Sequence, residues 1–143
     1  MSEIRLVIQG EPVAKGRPRV CKWGTYTPEK TVNYETLIQE MFMIGGCKKL
    51  NGALRLAVYA YFSIPKSASK KHRVDMINWN IRPTKKPDLD NILKIVGDAL
   101  NKIAYDDDSQ IVSATIKKFY AEEPHLKIII EEVTDSQEET ILA

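Results

Sequence analysis

The chain has 143 residues, 21 Lys+Arg against 19 Asp+Glu for a formal net charge of +2, and 43% hydrophobic residues. That combination suits one domain with its own core and excludes wholesale disorder. No apolar run approaches the ~18 residues that span a bilayer, MSEIRLVIQG lacks the pattern of a signal peptide, and Cys21 and Cys47 make no disulfide framework, so the expectation is a cytoplasmic protein without membrane contact.

The near-neutral total conceals a division. Residues 1–86 carry 16 Lys+Arg against 6 Asp+Glu, whereas residues 87–143 carry 5 against 13. A positive half followed by a negative half suggests a polyanion-binding surface beside an acidic site; the alternative is two solvated faces.

In chain order, Ile4, Leu6 and Ile8 alternate with Arg5, Val7 and Gln9, which predicts a half-buried strand. A cationic loop, Lys15-Gly16-Arg17-Pro18-Arg19, follows. Thr27-Pro28-Glu29 reads as N-cap, first-turn proline and first-turn acid of a helix whose apolar stripe is Tyr34, Leu37, Ile38, Met41 and Ile44, ending at Gly45-Gly46. Leu54, Leu56, Val58 and Phe62 predict a second strand. Residues 66–86 form the most basic stretch, with a weakly patterned short helix near Ser67. Leu89, Ile92, Leu93, Val96, Leu100 and Ile103 predict a strong helix over 88–104. After Asp106-Asp107-Asp108, two β-rich runs at 110–120 and 125–133, separated by Ala121-Glu122-Glu123-Pro124, read as a hairpin. The expectation is an α+β fold: a four-stranded mixed sheet in β-α-β-α-β-β order with helices packed on it, one domain over 1–133 and an acidic, flexible tail over 134–143.

Three acidic groupings invite chemistry. Asp88 and Asp90 open the strong helix, where they serve either as cap and dipole partners or as metal ligands. Asp106, Asp107 and Asp108 follow its C-terminal end, where the dipole opposes them and they repel one another; a hard divalent cation is the natural countercharge. Asp90, Lys94 and Asp98 stand four residues apart, either as an ion-pair ladder or with Lys94 placed to hold a phosphate beside a metal. His72 and His125 have no cysteine partner at zinc spacing, and there is no Gly-rich phosphate loop, so no small-molecule cofactor is expected. Acids after a basic half point to metal-assisted hydrolysis of a nucleic-acid phosphodiester.

The ordered set Lys86-Pro87-Asp88-Leu89-Asp90-Asn91, Lys94, Asp98-Ala99-Leu100 and Asp107-Asp108-Ser109-Gln110, preceded by Gly10, Pro12 and Lys15-Gly16-Arg17-Pro18-Arg19, resembles the RusA family of Holliday junction resolvases of bacteria and their prophages. The resemblance runs from about residue 4 to residue 133 and is densest over 86–112. It implies a Mg²⁺-dependent endonuclease, with Mn²⁺ as a substitute. It also implies an intimate homodimer that cuts four-way DNA junctions by paired symmetric nicks in recombination and repair. Carried over by position, it implies that Asp88, Asp90 and Asp108 hold the metal, that Asp107 is an additional acid and that Lys94 is the essential lysine. Asp106 has no place in the pattern.

A helix over 88–104 would be about 25 Å long. That puts Asp88 and Asp90 at the far end from Asp108 unless the chain after Asp106 doubles back or the helix breaks early; if they are so separated, two antiparallel copies would bring one copy's first acids near the other's Asp108 and complete each site in trans. Lys15, Arg17 and Arg19, with Trp23 and Tyr26 nearby, form a candidate phosphate-gripping loop; Lys70, Lys71, Arg73, Lys85 and Lys86 are a second candidate DNA surface on charge alone. Trp79 and Tyr105 are either wedges for an open junction or packing anchors. The competing functions are a non-catalytic branched-DNA-binding module and a less selective flap or duplex nuclease.

Overall fold

Alternation along the first strand does what it predicts. In the structure, a computed structural model that describes residues 2–133, Ile4, Leu6 and Ile8 turn one face of β1 (Glu3–Gln9) into the core. The tail expected over 134–143 lies outside the described residues.

The cationic stretch is not wholly a loop. Residues 15–18 are loop, and its last residue, Arg19, opens a small antiparallel hairpin, β2 (Arg19–Cys21) and β3 (Gly24–Tyr26), turning at Gly24, whose φ of 124° suits glycine. Helix α1 (Glu29–Ile44) starts after Pro28 rather than after a Thr27 cap. It buries Thr31, Tyr34, Ile38 and Phe42, while Leu37 and Ile44, expected on its apolar stripe, are exposed. The buried face is therefore rotated toward Thr31 and Phe42, because the sheet and the third helix fix which side is covered. Strand β4 (Leu54–Ser63) follows, then α2 (Lys70–Ile77), where the Ser69 hydroxyl accepts the His72 N–H. Next come α3 (Leu89–Leu100), a 3₁₀ turn at Asp108–Gln110, β5 (Ile111–Ala121) and β6 (His125–Glu132).

The fold is α+β, with a four-stranded mixed sheet and three helices. Strand order is β1-β6-β4-β5, with β4 and β5 parallel and the other neighbours antiparallel. The expected hairpin between the last two strands does not form. β4 lies between them, and the short connection steps over it across about 10 Å, two strand spacings. Alternation and a turn specify two antiparallel strands but not whether a third sits between them. The small hairpin and α2 also enlarge the expected element order to β-β-β-α-β-α-α-β-β.

Inward residues of the sheet (Leu54, Leu56 and Val58 of β4; Leu126, Ile128 and Ile130 of β6) meet α1 and α3 in one continuous core. α3 supplies Ile92, Ile95, Val96, Ala99 and Leu100 to it, whereas Leu89, part of the apolar pattern that predicts the helix, is exposed. Beyond α2, Trp79 rests on Phe119 of β5 with ring centroids 4.5 Å apart, and Phe119 stacks on Tyr61. No helix among the described residues is long and apolar enough to cross a membrane.

Candidate active site

Asp88 occupies the N-cap position of α3 in extended conformation, yet its carboxylate makes no cap hydrogen bond. The capping explanation for this residue therefore fails, and the side chain is exposed at the helix N-terminus. Asp90, in the first turn, is exposed beside it. The segment leading in is pinned by Lys118 of β5, whose ammonium donates to the carbonyls of Lys85 at 2.6 Å and Pro87 at 2.9 Å. Burial lowers the Lys118 pKa, and the charge of Asp88 opposes that shift. Lys118 does not stand out by charge patterning; its signal in the sequence is a lysine in the alternating set Ile116, Lys118, Tyr120, the side of the strand where apolar residues belong.

α3 does not run to residue 104. Asn101 turns extended, Lys102 takes a φ of 70°, and the chain doubles back so that Tyr105 is fully buried and donates its hydroxyl to Gly97 O at 2.7 Å. Tyr105 is thus an anchor and not a wedge. The return carries Asp108 back from the far end that a helix over 88–104 implies, while Asp88 and Asp90 stay at the N-terminus of α3. Asp108 lies against the third turn of α3, where it lines a cavity of about 270 Å³ together with Lys94, Gly97 and Asp98, floored by Leu56, Ile111 and Ala114.

The three adjacent acids divide their roles. Asp106 pairs with Lys49 at 3.0 Å. Asp107 caps the 3₁₀ turn by accepting the Ser109 N–H at 3.1 Å, and Gln110 reciprocates by accepting the backbone N–H groups of Asp106 and Asp107. Hydrogen bonding to Ser109 holds the Asp107 pKa below the usual carboxylate value, with Lys102 adding a smaller effect. Asp108 alone of the three lines the cavity.

Lys94 is mostly exposed and lies 3.7 Å from Asp98. Asp98 in turn stands 3.3 Å from Lys15, whose ammonium also bonds Glu35 at 3.2 Å. Burial alone would lower the Lys15 pKa, but hydrogen bonds and the charges of Glu35 and Asp98 outweigh it and raise the value above 10.5. A raised lysine pKa gives stability that is complete below the unfolded value and is lost as pH climbs through the folded one. The stability advantage of wild type over Lys15→Met is therefore expected to hold at about pH 9 and shrink above about pH 10.5, measured by denaturant titration at each pH. An advantage that grows with pH would contradict the ion-pair assignment. Glu35, Asp98 and Lys94 are the charged groups around it.

Arg17 and Arg19 are exposed on a cavity of about 440 Å³ that also touches Lys30 and Pro87, the residue before Asp88. Lys70 and Lys71 are exposed on α2, and Arg73 is half-buried. Lys85 and Lys86 line a cavity of about 270 Å³ with Lys118. Trp23, 88% exposed, carries the Lys22 ammonium over its ring at 5.4 Å, and Tyr26 is half-exposed.

The structure thus gathers Lys94, Asp98 and Asp108 on one cavity and places Asp88 and Asp90 at the N-terminus of the same helix. Among the described residues, no group of three or more His, Cys, Asp or Glu is arranged to hold a metal by itself. The sequence-selected carboxylates are hard oxygen donors, the kind Mg²⁺ takes in ones and twos beside waters and phosphate oxygens, so the donor chemistry fits that ion.

Comparison with known proteins adds two findings. A family model described as endodeoxyribonuclease RusA matches residues 9–131. A Bacillus subtilis (strain 168) protein described as "Uncharacterized protein YqaN" is 37% identical over 144 residues, covering 94% of this chain and 99% of that protein.

Proposed function

The chain belongs to the endodeoxyribonuclease RusA family, and from that premise we propose that it is a Mg²⁺-dependent, structure-selective nuclease that resolves four-way DNA junctions by paired symmetric nicks as a homodimer. The observation that carries this is the treatment of the acids. Asp88 declines the cap its position offers, and Asp108 is directed to a cavity while its two neighbours are taken up by local partners.

In this proposal Asp88, Asp90 and Asp108 hold the ion, which supplies Lewis-acid polarisation of the phosphoryl group when bound. Lys94, charged and mostly exposed at the cavity rim, holds a non-bridging phosphate oxygen and offsets charge that grows in the transition state. Lys118 fixes the approach to α3, which orients Asp88 and Asp90. Arg17, Arg19 and Lys30 neutralise flanking phosphates, with Lys85 and Lys86 on the other side of Pro87. Lys70, Lys71 and Arg73 extend the basic surface along α2. A two-fold pair of such sites matches the pseudo-symmetry of a four-way junction and makes the nicks symmetric.

The test is cleavage of a mobile-core four-way junction against linear duplex of the same sequence, with Mg²⁺, with Mn²⁺ and with chelator. Paired nicks at symmetric positions in the junction only, lost on chelation, are expected. Equal cutting of duplex or flaps would make the chain a less selective nuclease, and tight junction binding with no cutting in either metal would make it a binding module.

A further inference from the structure

Lys15 opens the most cationic run of the N-terminal segment, and charge patterning assigns it to phosphate. Its surroundings assign it elsewhere. Its backbone N–H donates to Asn91 O at 2.9 Å, one residue past Asp90. Its ammonium lies between Glu35 of α1, at 3.2 Å, and Asp98 of α3, at 3.3 Å, and the side chain is only 18% exposed. Arg17 and Arg19, two and four residues on, are exposed. An ammonium already between two carboxylates has little left to offer DNA, since leaving them would take the ion-pair partner from Glu35 and leave Asp98 to Lys94 alone among the described residues.

Asp98 is the shared element. Lys15 is on one side of it at 3.3 Å and Lys94 on the other at 3.7 Å, and the same carboxylate lines the cavity with Asp108. Lys94 and Asp98 are spaced i,i+4 on one helix, so nothing in the backbone prevents them from closing into a tighter pair. What opposes this is the competing cation. Resting on the nuclease function proposed above, we infer that Lys15 is a positioning residue: by saturating Asp98 from the α1 side, it keeps the Lys94 ammonium free for the substrate phosphate.

If Lys15 is removed, Asp98 is left on the cavity it shares with Asp108 with Lys94 as its remaining ion-pair partner among the described residues, and electrostatics pull the pair together. Lys94 is then withdrawn from the phosphate without any change in its own identity. Removing the charge of Asp98 as well abolishes that pull. The Lys15→Met effect on Lys94 therefore depends on Asp98, which a simple loss of stability does not.

The experiment compares wild type, Lys15→Met, Lys15→Arg, Asp98→Asn and the Lys15→Met/Asp98→Asn double variant in two assays. In the first, the side-chain nitrogen resonance of Lys94 is followed by NMR on the free protein. It is expected to shift in Lys15→Met, to stay near wild type in Lys15→Arg, and to be the same in Asp98→Asn with or without Lys15. In the second, junction binding is measured against salt, and cleavage at saturating enzyme. Lys15→Met should keep the wild-type salt slope and lose about tenfold or more in the cleavage rate, most of it recovered by Lys15→Arg. A Lys94 resonance unmoved by Lys15→Met overturns the inference, as does a salt slope reduced by about one, the signature of a lost phosphate contact. If wild type cuts no DNA, the nuclease proposal fails, and the NMR arm still decides whether Lys15 controls Lys94.

Discussion

Replacing Asp90 with asparagine is expected to abolish metal-dependent junction cleavage, by roughly a hundredfold or more, while leaving the fold and junction binding in place. Asp90 sits exposed in the first turn of α3, and no hydrogen bond or ion pair among the described residues engages its side chain. Its structural contribution is the favourable meeting of an acid with the positive end of the helix dipole, worth about 0.3–1 kcal/mol. Thermal melting should therefore change little. Asparagine keeps the shape and removes the charge, so affinity for Mg²⁺ falls while repulsion of DNA phosphates eases; junction affinity should hold or rise. The checks are the midpoint of a Mg²⁺ titration of cleavage, gel-shift affinity in chelator, and melting temperature. Full cleavage activity in Asp90→Asn would remove this carboxylate from the metal set, and a large drop in melting temperature would make it a structural residue.

The parts of this protein that sequence makes legible are those in which a residue's role is decided by its neighbours in the chain. Ile4, Leu6 and Ile8 announce β1, and Ile92, Val96 and Leu100 announce α3, because period and composition record which side is covered. Asp88 and Asp90 stand out because local spacing puts them on one helix N-terminus. The misses share another origin. The separation of β5 from β6 by β4 depends on a strand more than fifty residues earlier. The early end of α3 depends on Tyr105 finding Gly97 behind it. Lys15, a DNA contact by charge, is drawn inward by Glu35 and Asp98, 20 and 83 positions away. Charge counted along a chain gives an ion's sign but not its partner, so the run of cations was legible while the two carboxylates that meet Lys15 were not. Asp106 and Asp107, which strained local helix chemistry, are reconciled by Lys49, Ser109 and Gln110.

Tyr105→Ala is expected to be the most damaging single change outside the acids. The ring is fully buried and its hydroxyl bonds Gly97 O at 2.7 Å, so the residue clamps the 101–107 turn onto the last two turns of α3. Burial, with the charges of Asp108, Asp98 and Asp107 added, pushes the phenol pKa well above its ordinary value, so the hydroxyl stays protonated and donating into the alkaline range as well as at neutral pH. Truncation to alanine removes the packed ring and leaves a cavity, at a cost of about 3–5 kcal/mol and roughly 10–20 °C in melting temperature. Tyr105→Phe loses only the hydrogen bond, about 1–2 kcal/mol with Gly97 O left less satisfied. The same clamp returns Asp108 to the cavity beside Lys94. At a temperature where Tyr105→Ala remains folded by circular dichroism, its junction cleavage should still fall by about tenfold or more, because a carboxylate displaced by an ångström no longer meets the ion and phosphate together. Equal melting losses in the Phe and Ala variants would assign the clamp to the hydroxyl alone, and wild-type cleavage in folded Tyr105→Ala would show that the position of Asp108 is set elsewhere. The contrast between the two variants matters because it separates what the ring does for the fold from what the turn does for the site.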